Sequence, residues 1–389
     1  MFNNYEQEEA TMDHRFSEKV DRRKFLKLAG LAGLALAGSI ETIACSSPAA
    51  APPAPTAAAS GKATAPPSTP KTESAEEIQA KLVEAAKNEG KVSLYSTGSV
   101  EELEDIGKVF NKKYPFIELE PYHGTAEEIT EKVITEYKGG RRNVDLVRGS
   151  STALFALTDA GLAMKYLSPE SASLPKGTFD PEGAWHFSMY TVQCMAWNTK
   201  AIPEADAPRL YDDLLNPKYK GKIALEAEPT EWFAQQLEVR GKDKGLEFMR
   251  KLAEQKPRII KGSTTLTRLI VAGEVPIGLP IYVYRVQLDK ESKAPIDWSA
   301  GKPATSNQAG VLIAKDAPHP NAAKLMVNWW LSKEGQEDEV VAVSKRLPVR
   351  SGVSVPDFYK GMEVYYASLE TLRQSSQTAP MIREIFGIS

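Results

Sequence analysis

Hydrophobic residues after position 74 recur with two alternating spacings along the chain. In some segments they return every three or four residues, which predicts amphipathic helices, and in shorter segments they are continuous, which predicts buried strands. Strands that alternate with helices indicate an α/β fold with a mainly parallel sheet. The first predicted helix begins at Ser74, where Glu77 completes a capping box, and it ends before Gly90.

The alternation forms two successive series, which together predict two α/β units with a cleft between them. In the first series the predicted strands are 92–95, 117–122 and 144–147, and the predicted helices are 101–114, 126–137 and 152–159. In the second series the predicted strands are 222–225, 275–283 and 309–314, and the predicted helices are 232–240, 245–254, 265–272 and 320–331. The tail, 357–388, is expected to be mostly helical.

Residues 1–45 follow a different pattern and form a predicted export signal. A basic segment with the pair Arg22 and Arg23 precedes a weakly apolar run and then Cys45. The paired arginines favour the twin-arginine export machinery, and an ordinary basic signal peptide is the alternative. Cys45 is a predicted lipidation site, which would hold the protein at the membrane by a lipid anchor. We therefore expect a membrane-anchored lipoprotein in the periplasm or at the cell surface.

Composition narrows the remaining possibilities. Residues 46–74 are nearly all Ala, Pro, Ser and Thr, which predicts a disordered tether. The formal net charge of −3 shows no single-sign excess, so no nucleic-acid partner is expected. The only cysteines are Cys45 and Cys194, so a lipidated Cys45 leaves no intrachain disulfide, and Cys194 is predicted to be a buried apolar residue. The histidines show no zinc-type spacing, and no nucleophile motif is present, so an enzyme is not expected.

Candidate ligand-binding residues lie where predicted strands pass into helices. In open α/β sheets the crevice outside the carboxyl ends of the strands binds ligands, and the start of a helix attracts anions. Four such junctions are rich in Gly, Ser and Thr, and they supply Thr97, Gly98, Ser99, Ser150, Ser151, Thr230 and Thr264. Arg148 and Arg268 lie beside two junctions and are placed to bind a carboxylate, phosphonate or sulfonate. The alternative is that the hydroxyls only cap helices and the arginines are solvated.

Tyr282 and Tyr284 are two residues apart at the predicted end of a strand. The strand period of two places both rings on one face. That face is either core or the wall of the cleft, where two phenols would hydrogen-bond a ligand or bind a hard cation. We expect the cleft, because ligands lie at the carboxyl ends of strands.

Several segments, in consistent order from about residue 75 to 350, resemble extracellular solute-binding proteins of ABC importers (family 1 type), in the branch that includes ferric-ion-binding periplasmic proteins. The resemblance lies in 91–99, 143–162, 216–222, 272–274 and 317–336, the last of which contains Ala317-Pro318-His319-Pro320-Asn321 and Trp330-Leu331-Ser332-Lys333-Glu334-Gly335-Gln336. It implies a type II periplasmic-binding fold with two α/β lobes joined by crossover strands. The implied lobes are 75–190 plus 306–350 and 191–305 plus 351–389.

The resemblance also implies a function, namely capture of a small-molecule ligand for an ABC transporter permease, by a protein expected to be monomeric and to need no cofactor. Ferric members bind the metal with two adjacent tyrosines. The matching place here reads Tyr-Val-Tyr, so only Tyr282 aligns directly, and Tyr282 with Tyr284 would be the iron ligands if Fe³⁺ is the transported solute. The first-lobe junctions offer no His or carboxylate, and two phenols supply too few anionic oxygens for Fe³⁺. A small organic anion is therefore the favoured ligand. A sensor lipoprotein and an enzyme on the same fold are the further alternatives.

Overall fold

The structure is a computed structural model that describes residues 74–388. The predicted signal peptide, with Arg22, Arg23 and Cys45, and the predicted tether up to residue 73 lie outside the described residues. Among the helices that are described, none combines the length and the apolar character needed to traverse a bilayer.

Helices account for much of the described chain, and most predicted helices are present with ends shifted by a few residues. The helices are α1 Ala75–Glu89, α2 Val100–Lys113, α3 Ala126–Lys138, α4 Ser151–Asp159, α5 Thr230–Arg240, α6 Lys242–Glu254, α7 Ser263–Ala272, α8 Val283–Glu291, α9 Pro320–Leu331, α10 Lys333–Gly335, α11 Leu369–Gln374 and α12 Ala379–Phe386. A π-helix, Gln336–Val343, follows α10 directly. The capping box predicted at the start of α1 is confirmed, and Gly90 ends that helix in the left-handed conformation.

The strands form one strongly connected sheet within residues 74–388. They are β1 Lys91–Ser96, β2 Glu118–His123, β3 Leu146–Ser150, β4 His186–Asn198, β5 Ile223–Glu226, β6 Arg258–Ile260, β7 Ile277–Tyr282, β8 Ile296–Ser299, β9 Ala304–Ile313, β10 Leu347–Pro348 and β11 Val364–Tyr366. The order along the sheet is β2-β1-β3-β9-β4-β7-β5-β6, with β8 and β10 also paired to β4 and β11 paired to β9.

The sheet is mixed, whereas the sequence predicted a mainly parallel one. Strands β1, β2 and β3 pair in parallel, and so do β5, β6 and β7. The central strands β4 and β9 run antiparallel to each other, and they are antiparallel to β7 and β3 respectively. The parallel prediction is therefore right for the outer strands and wrong for the centre, where long strands pass from one part of the sheet to the other.

Strand β4 divides the sheet into two halves. Its residues up to Val192 pair with β9, and its residues from Gln193 onward pair with β7 and β8. We define the first half of the sheet as β2, β1, β3, β9 and the first part of β4, and the second half as the rest of β4 with β7, β5, β6 and β8. All thirteen residues of β4 are buried.

The close pairing of the central strands depends on one glycine. A Cβ atom added to Gly310 of β9 would lie 2.1 Å from the carbonyl oxygen of His186 on β4. Only glycine allows the two backbones to approach this closely. Cys194, also on β4, is fully buried and free, which confirms its predicted place in the core.

The C-terminal tail is mostly helical, as the sequence predicted, and it also contains one short strand. It contains β11, which pairs in parallel with Ala304–Ser306 of β9, before α11 and α12 begin. An ion pair joins Arg373 of α11 to Asp159 of α4, at 3.2 Å, and the Thr378 hydroxyl donates to the carbonyl of Thr230 at 3.3 Å. The tail therefore contacts elements that follow strands of both halves of the sheet.

Candidate functional site

A cavity of about 860 Å³ lies at the ends of the strands from both halves of the sheet. Five helices have a first-turn residue in its wall, namely α3, α4, α5, α7 and α8, and α2 begins two residues after the lining residue Gly98. The cavity is therefore where the sequence placed it, at the strand-to-helix junctions. Its wall includes seven of the predicted ligand-binding residues, which are Thr97, Gly98, Ser150, Thr230, Thr264, Tyr282 and Tyr284.

Three predicted ligand-binding residues do not line this cavity. Ser99 caps α2, where its hydroxyl accepts from the amide of Glu102. Ser151 is fully buried, and its hydroxyl donates to Glu231 at 2.9 Å. Arg268 lies more than a turn into α7 with an exposed side chain, so the helix rise carries it away from the cavity at the start of that helix.

Helix starts on the two sides of the cavity differ in how their amides are satisfied. On the first-half side, α2, α3 and α4 are capped by the side chains of Ser99, Thr125 and Ser150. On the second-half side, α5, α7 and α8 carry no side-chain cap. Uncapped first-turn amides and the positive end of the helix dipole together favour an anion. The second-half wall is therefore the better place for a negative ligand group.

The two tyrosines meet at the cavity by a route that the sequence did not predict. Strand β7 ends at Tyr282, and Tyr284 lies in the first turn of α8, so the two are not on one strand face as expected. Their rings nevertheless stack, with centroids 6.1 Å apart and planes 18° apart. Burial raises the pKa of the Tyr282 phenol above its ordinary value, and the nearby Glu231 raises it further.

Glu231, in the first turn of α5, joins the two sides of the cavity. Its Oε1 accepts hydrogen bonds from Ser151 at 2.9 Å and from Thr152 at 3.2 Å, both on α4. Its Oε2 is buried without a hydrogen-bond partner among the described residues. Burial raises the pKa of this carboxyl. A buried carboxyl between two helix starts thus links the second half to the first.

Arg148 lines the cavity, but its charge is already matched by buried acids. Its Nη2 donates to Glu102 at 2.9 Å and to Glu339 at 3.0 Å. Glu102 also accepts a two-pronged contact from Arg346, at 2.7 and 3.2 Å. The sequence placed Arg148 beside the site as an anion ligand, whereas the structure uses much of its hydrogen-bonding capacity internally. Its Nε remains buried without a partner in the described chain.

Arg346 is a cavity residue that the sequence reasoning missed. Its guanidinium lies over the ring of Tyr284, 4.1 Å from the centroid, while Glu102 holds its other edge. This stack connects the arginine pair to the tyrosine pair across the cavity. Arg346 comes shortly after the π-helix in the chain. No periodic pattern of apolar residues identifies a cavity residue at such a position.

Strands β4 and β9 form the floor of the cavity with polar residues that the sequence reasoning also missed. Thr191 and Gln193 alternate along β4, and Asn307 lies on β9 opposite Thr191. Gln193 lies opposite Tyr282 of β7. The sequence did contain a signal for this floor, namely two polar residues two positions apart within a strand that is mostly apolar. Buried polar residues need hydrogen-bond partners, so such a pair indicates a polar site.

Metal-binding groups of the usual kind are not clustered here. Among residues 74–388, no set of three or more His, Cys, Asp or Glu side chains is arranged to hold a metal ion. His123 does line the cavity, with its Nδ1 2.6 Å from the carbonyl oxygen of Gly98. That contact already uses one ring nitrogen.

The two α/β halves, joined by crossover strands and enclosing a cavity between their strand ends, define a protein that binds a small molecule. Residues 105–363 match the model of the bacterial extracellular solute-binding protein family, and the chain belongs to that family. The family consists of binding proteins and not of enzymes, and the fold is the predicted type II periplasmic-binding fold.

Solved structures with this fold bind different ligands. Iron-bound HitA from Pseudomonas aeruginosa matches with a TM-score of 0.66 at 22% identity, over 76% of this chain and 99% of that one. AfuA from Actinobacillus pleuropneumoniae, with fructose-6-phosphate bound, matches with a TM-score of 0.66 at 20% identity, over 77% and 99%. An uncharacterised protein of Haemophilus influenzae is 30% identical over 139 residues, which is 34% of this chain and only 40% of that protein. At these identities the structures establish the fold alone.

Proposed function

We propose that the protein is the substrate-binding component of an ABC importer and that its ligand is a small organic anion. The family membership supports the receptor role, and the cavity supports the ligand class. The observation that carries the ligand class is the set of uncapped helix starts, α5, α7 and α8, on one wall of the cavity. The predicted lobes, 75–190 plus 306–350 and 191–305 plus 351–389, would close on this anion.

The location proposal rests on the N-terminal sequence. Arg22 and Arg23 would direct export through the twin-arginine machinery, and acylated Cys45 would anchor the protein outside the cytoplasm near its permease. Cys45→Ser should move the protein from the membrane fraction to the soluble fraction. Unchanged membrane association of that variant would contradict the lipid anchor.

The size of the cavity supports an organic ligand. Pockets for organic ligands commonly measure about 300–1,000 Å³, and this cavity, at about 860 Å³, falls in that range. A bare metal ion or a single inorganic oxyanion would leave most of it to water. The ligand we propose is therefore larger than the anionic group that the helix starts would hold.

One amide at the start of α7 allows a sharp test of the anion contact. Ser263 is the first residue of α7 and lines the cavity, and proline is well tolerated at this helix position although it removes the backbone N–H. Ser263→Pro should therefore weaken anion binding about ten- to hundredfold, the equivalent of one charge-assisted hydrogen bond. Ser263→Ala retains the amide and is the matched control.

The ligand can be sought first by thermal-shift screening against carboxylates, phosphonates and sulfonates. A stabilising anion whose effect is lost in Ser263→Pro and retained in Ser263→Ala supports the proposal. If no anion raises the melting temperature, or if both variants respond alike, the helix-start model of anion binding is wrong.

Ferric iron is the second candidate, because Tyr282 and Tyr284 stack at the cavity wall and iron-bound HitA shares the fold. Fe³⁺ requires several anionic oxygens, whereas burial favours the neutral form of the Tyr282 phenol. Titration with ferric citrate should give no visible tyrosinate-to-iron absorption band. A band that appears in the unmodified protein and disappears in Tyr282→Phe would replace the anion proposal with iron.

A further inference from the structure

The floor of the cavity carries a polar row that the helix starts do not explain. It consists of Thr191 and Gln193 on β4 and Asn307 on β9, and we call it the floor row. Thr191 and Asn307 are cross-strand partners, and Gln193 is the partner of Tyr282. Because side chains two apart on a strand share a face, Thr191 and Gln193 project to the same side. The row thus connects the two halves of the sheet beneath the ligand space.

Thr191 and Gln193 are buried, Asn307 is half-buried, and the two amides have free hydrogen-bonding capacity. Gln193 is 2% exposed, and its Oε1 has no hydrogen-bond partner within residues 74–388. The Oδ1 of Asn307 also lacks a partner within that range, and its Nδ2 makes only a long contact of 3.4 Å with the Tyr282 hydroxyl. Buried amides without partners cost free energy, so native proteins retain few of them without a reason. A ligand in the adjacent cavity supplies that reason.

The atoms without partners specify what the ligand must carry. Gln193 Oε1, Asn307 Oδ1 and the nearby Glu231 Oε2 all lack a hydrogen-bond partner. A carboxylate accepts from an amide nitrogen but has no proton to give to an amide oxygen, and a metal ion binds an amide oxygen but leaves the amide nitrogens unsatisfied. A hydroxyl group both donates and accepts, and an amide can present either its oxygen or its nitrogen by rotating about its terminal bond. Several hydroxyls would therefore satisfy the row in either orientation.

We propose that the floor row is a second subsite that binds hydroxyl groups, so that the ligand is a polyhydroxylated organic anion. Its charged group would lie at the uncapped helix starts, and its hydroxyls would lie on Thr191, Gln193 and Asn307. Sugar acids and sugar phosphates share this chemistry. The inference rests on the proposed function, because it takes the same cavity to be the ligand site, and it adds the neutral end of the ligand.

Matched pairs of ligands test the hydroxyl subsite by isothermal titration calorimetry of the purified protein. Gluconate and hexanoate have the same carbon number and carboxylate but differ in hydroxyls, and glucose 6-phosphate and hexyl phosphate form the corresponding phosphate pair. At least one hydroxylated member should bind a hundredfold or more tightly than its partner, and the pair that responds identifies the anionic group. Equal binding within each pair overturns the hydroxyl subsite but leaves the anion receptor standing. Binding of none of the four overturns both.

Gln193→Leu tests the residue itself with two readouts. The variant should bind the hydroxylated ligand at least tenfold more weakly and its hydrocarbon counterpart unchanged. Its melting temperature without ligand should be equal to or above that of the unmodified protein, because a buried amide without a partner has been replaced by an apolar group of similar size. Wild-type affinity for the hydroxylated ligand would overturn the assignment, and so would equal losses for both members of a pair.

A neighbouring glutamine supplies the structural control. Gln235 of α5 is fully buried, but its Oε1 accepts from the Ser306 amide at 3.0 Å, and it does not line the cavity. Gln235→Leu leaves that amide unsatisfied and should lower the melting temperature by several degrees. A Gln193→Leu variant that melts as low as Gln235→Leu would show a structural role and overturn the binding role.

Discussion

Glu102 holds the two arginines of the cavity wall, and its replacement tests that arrangement most sharply. Its carboxylate accepts from Arg148 at 2.9 Å and from Arg346 at 2.7 and 3.2 Å. Only 4% of the Arg148 side chain and 10% of the Arg346 side chain are exposed, so neither guanidinium can turn to water. Glu102→Gln keeps the shape but removes the charge, which leaves Glu339 as the remaining acid for both arginines.

The expected cost is large relative to the stability of a folded protein. Removing one partner of a buried ion pair costs about 3–5 kcal/mol, whereas native proteins are stable by only about 5–15 kcal/mol. At about 2 °C per kcal/mol for a chain of this size, the melting temperature should fall by about 6–10 °C. Thermal unfolding followed by circular dichroism measures this fall. Glu104→Gln, at an exposed position of the same helix, is the matched control and should change the melting temperature by less than 1 °C.

The pH dependence supplies a second signature. Burial alone would raise the pKa of Glu102, but Arg346 and Arg148 outweigh it and hold the pKa below the ordinary value of 4.5. The carboxylate therefore contributes its stability at pH values above 4.5, and the contribution declines as the pH falls from there towards the lower folded-state pKa. The difference in the free energy of unfolding between the unmodified protein and Glu102→Gln should have its largest value at pH 7 and should become smaller below pH 4. A difference in the free energy of unfolding under about 1 kcal/mol at pH 7, or one that stays unchanged down to pH 3, would refute the reasoning.

Three further predictions concern other buried positions. Burial raises the pKa of Glu231, so its contribution to stability is present below its unfolded pKa and is lost as the pH rises through the folded value. In denaturant titrations, Glu231→Gln should therefore gain stability relative to the unmodified protein as the pH rises above 4.5, and a constant difference in the free energy of unfolding would contradict this. In the same assay, Gly310→Ala should lower the free energy of unfolding by about 1–3 kcal/mol or more, because its Cβ would lie 2.1 Å from a backbone oxygen. Gly107→Ala is the control and should be neutral or slightly stabilising, because no atom lies nearer than 3.4 Å to its added Cβ. In a Cys45→Ser background, Cys194 should resist a thiol reagent until denaturant is added, since it is fully buried; rapid labelling of the native protein would disprove its burial.

Local sequence signals predicted the outer parts of the fold well. The capping box at Ser74, the stop at Gly90 and the apolar periodicity of α2 and α3 depend only on neighbouring residues, and the structure contains all of them. The strand-to-helix junctions also led correctly to the cavity, because parallel strands bring their carboxyl ends to one edge of the sheet.

The central strands and the cavity wall depend on contacts that no local pattern contains. Strand β4 is buried on both faces, so it has no alternation to reveal its orientation, and its antiparallel pairing was missed. Tyr284 was placed on a strand because a period of two does not show where a strand gives way to a helix. Arg148 binds acids 46 and 191 residues away in the sequence, and such partners cannot be identified from one chain alone.

A crystal structure of the protein with its tightest-binding hydroxylated anion tests the central claim most directly. The account predicts that the anionic group lies within hydrogen-bond distance of the backbone amides at the start of α7, with ligand hydroxyls on Gln193 and Asn307. A ligand bound outside the cavity, an anionic group turned towards the floor row, or a metal ion held by Tyr282 would contradict it.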